Sequence, residues 1–93
     1  MPANTSRNSR KRVNFALHAP QARQVHLAGS FNDWNPTAKP LRPDKKGVWR
    51  TWLNLPPGQY EYLFVVDQEW RPDPGCTEHS QNPYGSHNCI LRV

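Results

Sequence analysis

The sequence predicts an all-β domain, a sandwich of about seven short strands, on three observations. Ten prolines and five glycines interrupt a chain of 93 residues that holds few strong helix formers. Proline removes a backbone donor and glycine loses the most conformational freedom on ordering, so both work against helices. Apolar residues recur at every second position in several segments, the period of a strand with one buried face. Turn residues separate those segments at intervals of roughly 8 to 12 residues. A domain of this size buries roughly 60 to 65% of its unfolded surface. Its core therefore rests on a few large rings among four Trp, three Tyr and three Phe.

The elements follow in order. In RVNFALHA, Val13, Phe15 and Leu17 share one face while Asn14, Ala16 and His18 share the other, as in a half-buried strand. APQARQ is a turn. VHLAG repeats the pattern with Val25 and Leu27 inward, so His18 and His26 read as solvent-facing strand residues rather than catalytic groups. A short piece around Leu41, bracketed by Pro40 and Pro43, is expected at a sheet edge, where a missing donor is tolerated. The longest signal is GVWRTWLNLPPGQYEYLFVVDQEW. Trp49, Thr51, Leu53 and Leu55 alternate with Val48, Arg50, Trp52 and Asn54; after Pro56-Pro57-Gly58-Gln59, Tyr60, Tyr62, Phe64 and Val66 alternate with Glu61, Leu63 and Val65. Two such runs joined by turn residues predict a β-hairpin, with Leu55 opposite Tyr60, Leu53 opposite Tyr62 and Trp52 opposite Leu63. Parity assigns Trp49, Tyr60, Tyr62 and Phe64 to the core and leaves Trp52 and Leu63 together on the outward face. Beyond Trp70 the chain passes through the Pro, Gly, Asn and Ser of residues 72 to 86 and closes on the strand NCILRV.

The net charge of +5 and isoelectric point of 9.7 point to nucleic acid only until the charges are placed. Arg7, Arg10, Lys11 and Arg12 cluster at the start, while residues 13–93 hold eight basic and seven acidic side chains, a balance of +1. Residues 1–11 are expected to be a disordered basic tail and residues 12–93 one domain, with nucleic-acid binding disfavoured. No apolar run suits a signal peptide or a membrane span, so a cytoplasmic location is expected.

Cys76 and Cys89 are too few for a disulfide framework. With His79 and His87 they form C-x2-H-x7-H-x-C, a spacing of metal-ligand type. If SHNCILRV is a strand, however, His87 and Cys89 lean away from Cys76 and His79 unless the intervening loop folds back. Unpaired thiols are expected ahead of a disulfide, and a disulfide ahead of a metal; no metal and no cofactor are expected.

Three segments in this order, GSFNDWN, LPPGQYEYLFVVDQEWRPDP and NPYGSHNCILRV, carry a resemblance to a known family. The chain from Val13 to Val93 resembles carbohydrate-binding module family 48, which includes the glycogen-binding domain of the AMP-activated protein kinase β subunit and the early-set domains preceding isoamylases and branching enzymes. The resemblance implies an immunoglobulin-like early-set sandwich that binds glycogen or another α-1,4-glucan without catalysis. It implies that Trp34 and Trp70 are flat platforms for the CH faces of sugar rings. It places Tyr84 where the family has a leucine that abuts the oligosaccharide, Ser86 where it has a threonine, and Asn88 at its hydrogen-bonding asparagine. Leu63 stands where glucan binders carry a lysine, and Gln68 where the family has a turn glycine. Asn32 and Asn35 read as turn formers ahead of sugar contacts.

Catalysis is not expected. Glycoside hydrolysis needs an opposed carboxyl pair ~5 to 9.5 Å apart, whereas Asp33, Asp67, Glu69 and Asp73 occupy turn positions, and neither a phosphate loop nor a nucleophile elbow is present. The alternative function is a protein-interaction module on the same fold, docking a partner through the outward Trp52/Leu63 pair.

Overall fold

The computed structural model describes residues 10–93. The expected tail at residues 1–11 lies outside the described residues up to position 9, and Lys11 already belongs to the first strand. The strands are β1 (Lys11–His18), β2 (Val25–Gly29), β3 (Arg42–Pro43), β4 (Val48–Leu55), β5 (Gln59–Val66), β6 (Glu69–Arg71), β7 (His79–Gln81) and β8 (His87–Arg92). A single 3-10 turn, Ser30–Asn32, follows β2, and there is no α-helix among the described residues. No described helix is long and apolar enough to cross a membrane. One sheet has the order β1-β4-β3; the other has the order β2-β5-β8-β7, with β6 also paired to β5.

The predicted β4–β5 hairpin does not form. β4 pairs with β1, setting Val13 opposite Leu53, Asn14 opposite Trp52 and Leu17 opposite Trp49. β5 pairs with β2, setting Leu27 opposite Phe64 and Ala28 opposite Leu63. Pro56–Gln59 is thus a crossover between sheets. Its two prolines have no N–H for a partner strand, and Gly58, at φ 157, exchanges its N–H and carbonyl with Val93 instead, at 3.0 and 2.9 Å. The crossover lets the apolar faces of β4 and β5 bury each other across the sandwich instead of lying side by side. Trp52 and Leu63 therefore sit on different sheets, and the outward apolar pair expected for protein docking is absent. Trp52 lies under the Arg12 guanidinium, 4.4 Å from the ring centroid.

The core between the sheets gathers Phe15, Leu17, Val25, Leu27, Leu41, Trp49, Tyr62, Phe64 and Cys89. Phe15 meets Tyr62 edge-on, with centroids 5.3 Å apart. The buried polar tips are partnered: Trp49 Nε1 donates to the Ala19 carbonyl at 2.9 Å, and Tyr62 donates to Asp73 Oδ2 at 2.6 Å. Tyr60, also assigned to the core, is only partly buried and donates to the Pro56 carbonyl. Leu41 is buried as its neighbour Arg42 joins the β4 edge.

Cys76 and Cys89 form a disulfide, correcting the expectation of unpaired thiols; their Cα atoms are 6.0 Å apart. The segment after β6 folds back because Asp73 organises it. Asp73 Oδ1 accepts from Gly75 N at 2.8 Å, and the Asp73 carbonyl accepts from Cys76 N at 3.2 Å.

Candidate functional site

The site lies on the face of the larger sheet that points away from the core. β5 presents Glu61, Leu63 and Val65 there, and β6 sets Trp70 opposite Val65. Leu63 and Val65, each 5% exposed, are buried although they face outward. All six residues singled out by the sequence, Trp34, Leu63, Trp70, Tyr84, Ser86 and Asn88, line one open cavity of about 860 Å³. That volume suits a small-molecule or oligomer site.

Local chemistry positions each ring. β2 ends at Gly29, still extended, where a Cβ would come within 2.5 Å of the Glu61 carbonyl oxygen, and the chain then turns through Ser30–Asn32. Asn32 holds the turn: its Oδ1 accepts from Gly29 N at 3.0 Å and its Nδ2 donates to the Leu27 carbonyl at 3.1 Å. Asp33 and Trp34 then adopt left-handed backbone, φ 56 and 58, which is costly for a bulky residue. Trp34 N donates to the Gly29 carbonyl at 2.9 Å, and the half-buried ring reaches the cavity. Asn35 bonds Thr37 through its Oδ1. Both asparagines are thus turn formers, as expected. Trp70 is 48% exposed and its ring centroid lies 6.4 Å from that of Trp34 with planes inclined at 52°. The pair forms an angled cleft rather than a flat shelf.

The opposite wall is the β7–β8 turn. Asn82 N donates to the Ser86 carbonyl at 2.9 Å and Gly85 takes φ 80. Asn82 Oδ1 collects the N–H groups of Tyr84 and Ser86 at 3.0 and 3.1 Å. This leaves Tyr84 at the tip, 91% exposed.

Glu61 and Asn82, which the sequence reading did not single out, organise the floor. Glu61 Oε1 accepts from the Ser80 hydroxyl and from Asn88 Nδ2 at 3.1 Å, while Asn88 Oδ1 accepts from Asn82 Nδ2 at 3.0 Å. The Ser80 and Asn88 bonds, in that order, hold the Glu61 carboxyl below its usual range. The network orients Asn88 and leaves one of its amide hydrogens for a ligand. The available signal was parity, because Glu61 shares a face with Leu63. Asn82 was visible only as the residue that opens an NPYG turn.

Apolar walls with a few fixed polar groups suit a ligand that has apolar faces and hydroxyl edges. Residues 12–93 match the family described as the glycogen recognition site of AMP-activated protein kinase. The chain belongs to that family. It is a carbohydrate-binding module, as the sequence motifs implied. Among its relatives, the chloroplastic protein FLOURY ENDOSPERM 6 of Oryza sativa subsp. japonica is 35% identical over 85 residues, 91% of this chain and 16% of that protein. A 1,4-alpha-glucan branching enzyme of Bacillus caldolyticus is 47% identical over 57 residues, 58% of this chain and 9% of the enzyme. The solved structure of a maltogenic amylase from S. marinus superposes with a TM-score of 0.76 at 30% identity, covering 90% of this chain and 14% of that one. The module thus spans a small fraction of each relative it matches.

Proposed function

We propose that this module binds glycogen or a related α-1,4-glucan in the Trp34/Trp70 cavity without acting on it. The carrying observation is the convergence of two partly exposed indoles 6.4 Å apart with Tyr84 and the fixed Asn88 amide around one cavity. Stacked indoles cover the CH faces of successive glucose units, while Asn88 and Ser86 reach their hydroxyls. The branching-enzyme and amylase relatives support an α-glucan as ligand. The non-catalytic role is supported by the cavity's carboxylates: among the described residues Glu61 alone lines it, and it is engaged by Ser80 and Asn88, whereas glycoside hydrolysis uses two.

Native electrophoresis through gels containing glycogen, amylose, dextran or hydroxyethyl cellulose tests the proposal. Migration should be retarded by glycogen and amylose and unaffected by the β-linked polymer. Equal migration in all gels would overturn it.

A further inference from the structure

At the β7 edge of the larger sheet, side chains with metal-ligating chemistry gather. The ligating atoms of Cys76, His79 and Cys89 all lie within 4.8 Å of one another, and His79 Nε2 is 3.2 Å from Cys76 Sγ. His87, two residues before Cys89 on β8, meets His79 edge-on with ring centroids 6.3 Å apart. The two imidazoles border a shallow depression of about 360 Å³. The Asp73–Cys76 turn folds the loop back, removing the sequence-based objection that these four residues lean apart.

We propose that, once the Cys76–Cys89 disulfide is reduced, these residues bind a thiophilic divalent cation, with zinc the best match. Cys76, His79 and Cys89 supply three ligands and His87 the fourth. A tetrahedral zinc with Zn–S of about 2.3 Å and Zn–N of about 2.0 Å needs its donors roughly 3.3 to 3.8 Å apart, a separation the side chains reach by rotation once the sulfurs part. Mixed thiolate and imidazole donors favour zinc over the hard, oxygen-seeking cations. Asp73 N–H already points at Cys89 Sγ, 3.3 Å away, the kind of outer bond that steadies a metal-bound thiolate. Cys89 is fully buried, so a free thiolate there would be costly; a bound cation supplies the compensating charge.

The redox step balances with a dithiol as reductant. The Cys76–Cys89 S–S bond and the reductant's two S–H bonds break; two protein S–H bonds and one reductant disulfide form, with two electrons passing to the protein. Zinc then displaces both thiol protons to solvent. The disulfide and the cation are alternative staples, either of which joins the segment after β6 to β8.

The full chain, reduced with dithiothreitol and desalted anaerobically, is titrated with cobalt(II) and then zinc(II). One equivalent of cobalt should produce thiolate-to-metal charge-transfer absorption and the intense visible bands of a tetrahedral site. Zinc should abolish both, and the oxidised protein should show neither. His79 is exposed and Cys76 only half-buried, so His79→Gln and Cys76→Ser should keep the wild-type circular dichroism while weakening binding at least about tenfold. Absence of charge transfer in folded, reduced protein would overturn the proposal. So would undiminished binding by His79→Gln, or equal binding by the oxidised form, which would place the cation on the exposed histidines alone.

Discussion

Trp34 occupies left-handed backbone at φ 58, a conformation that a bulky residue holds only when the surroundings impose it. Glycine adopts it freely. Trp34→Gly should therefore remove glucan retention while leaving the melting temperature nearly unchanged. Trp70, 48% exposed, should behave alike on truncation to alanine. Each loss should be on the order of 2 kcal/mol, roughly 30-fold in Kd. Calorimetric titration with maltoheptaose beside thermal melts checks both; variants that unfold would show that the rings plug the loops instead. Glu61 makes a second prediction. Its carboxyl is depressed from an ordinary value of 4.5, so its stabilising contribution is present above that value and lost as the pH falls through the folded one. The stability difference between wild type and Glu61→Gln, measured by urea unfolding, should be full at neutral pH and shrink in acid. A difference constant from neutrality to about pH 3 would refute the coupling.

Among the elements, the two-residue β5–β6 turn carries a visible compromise. Asp67 and Gln68 take φ 48 and 72, the geometry of a type I′ hairpin that favours Asn or Asp followed by Gly. Asp67 compensates by accepting the N–H groups of Arg23 and Gln24 at 2.9 Å each. Gln68 has no such partner among the described hydrogen bonds. Gln68→Gly should raise stability by about 0.5 to 1 kcal/mol, relief of left-handed strain less the added chain entropy. That corresponds to a rise of roughly 2 to 8 °C in Tm, readable by differential scanning calorimetry, and a fall in Tm would contradict it. The β4–β5 segment is governed by distant partners. Alternation identified both strands and their buried faces, down to Trp49, Tyr62 and Phe64, yet the same pattern fits a hairpin and a crossover equally. The crossover goes with partners far apart in the chain: β4 pairs with β1, β5 with β2, and Gly58 bonds Val93.

For the molecule as a whole, the Cys76–Cys89 bridge closes a short loop, with a sequence separation of 13. Loop-closure entropy for such a loop is worth about 3 kcal/mol. In a domain with a modest core, reducing the bridge in the absence of metal should lower Tm by roughly 12 °C or more. A reduced protein that melts with the oxidised one would show that the segment after β6 is held by the Asp73 bonds alone.

The all-β class, most strand positions and their inward faces are legible in the sequence, and its motifs give the family and six of the residues that line the cavity. These are local properties: side-chain period, turn chemistry and spacing along the chain. Which strands pair, the placing of Trp52 and Leu63 on different sheets, the meeting of Cys76 with Cys89 and the role of Glu61 in the cavity floor emerge with the fold. Each of those depends on a partner distant in sequence. A polar residue at an outward position reads as solvated until the fold brings it a Ser80 and an Asn88.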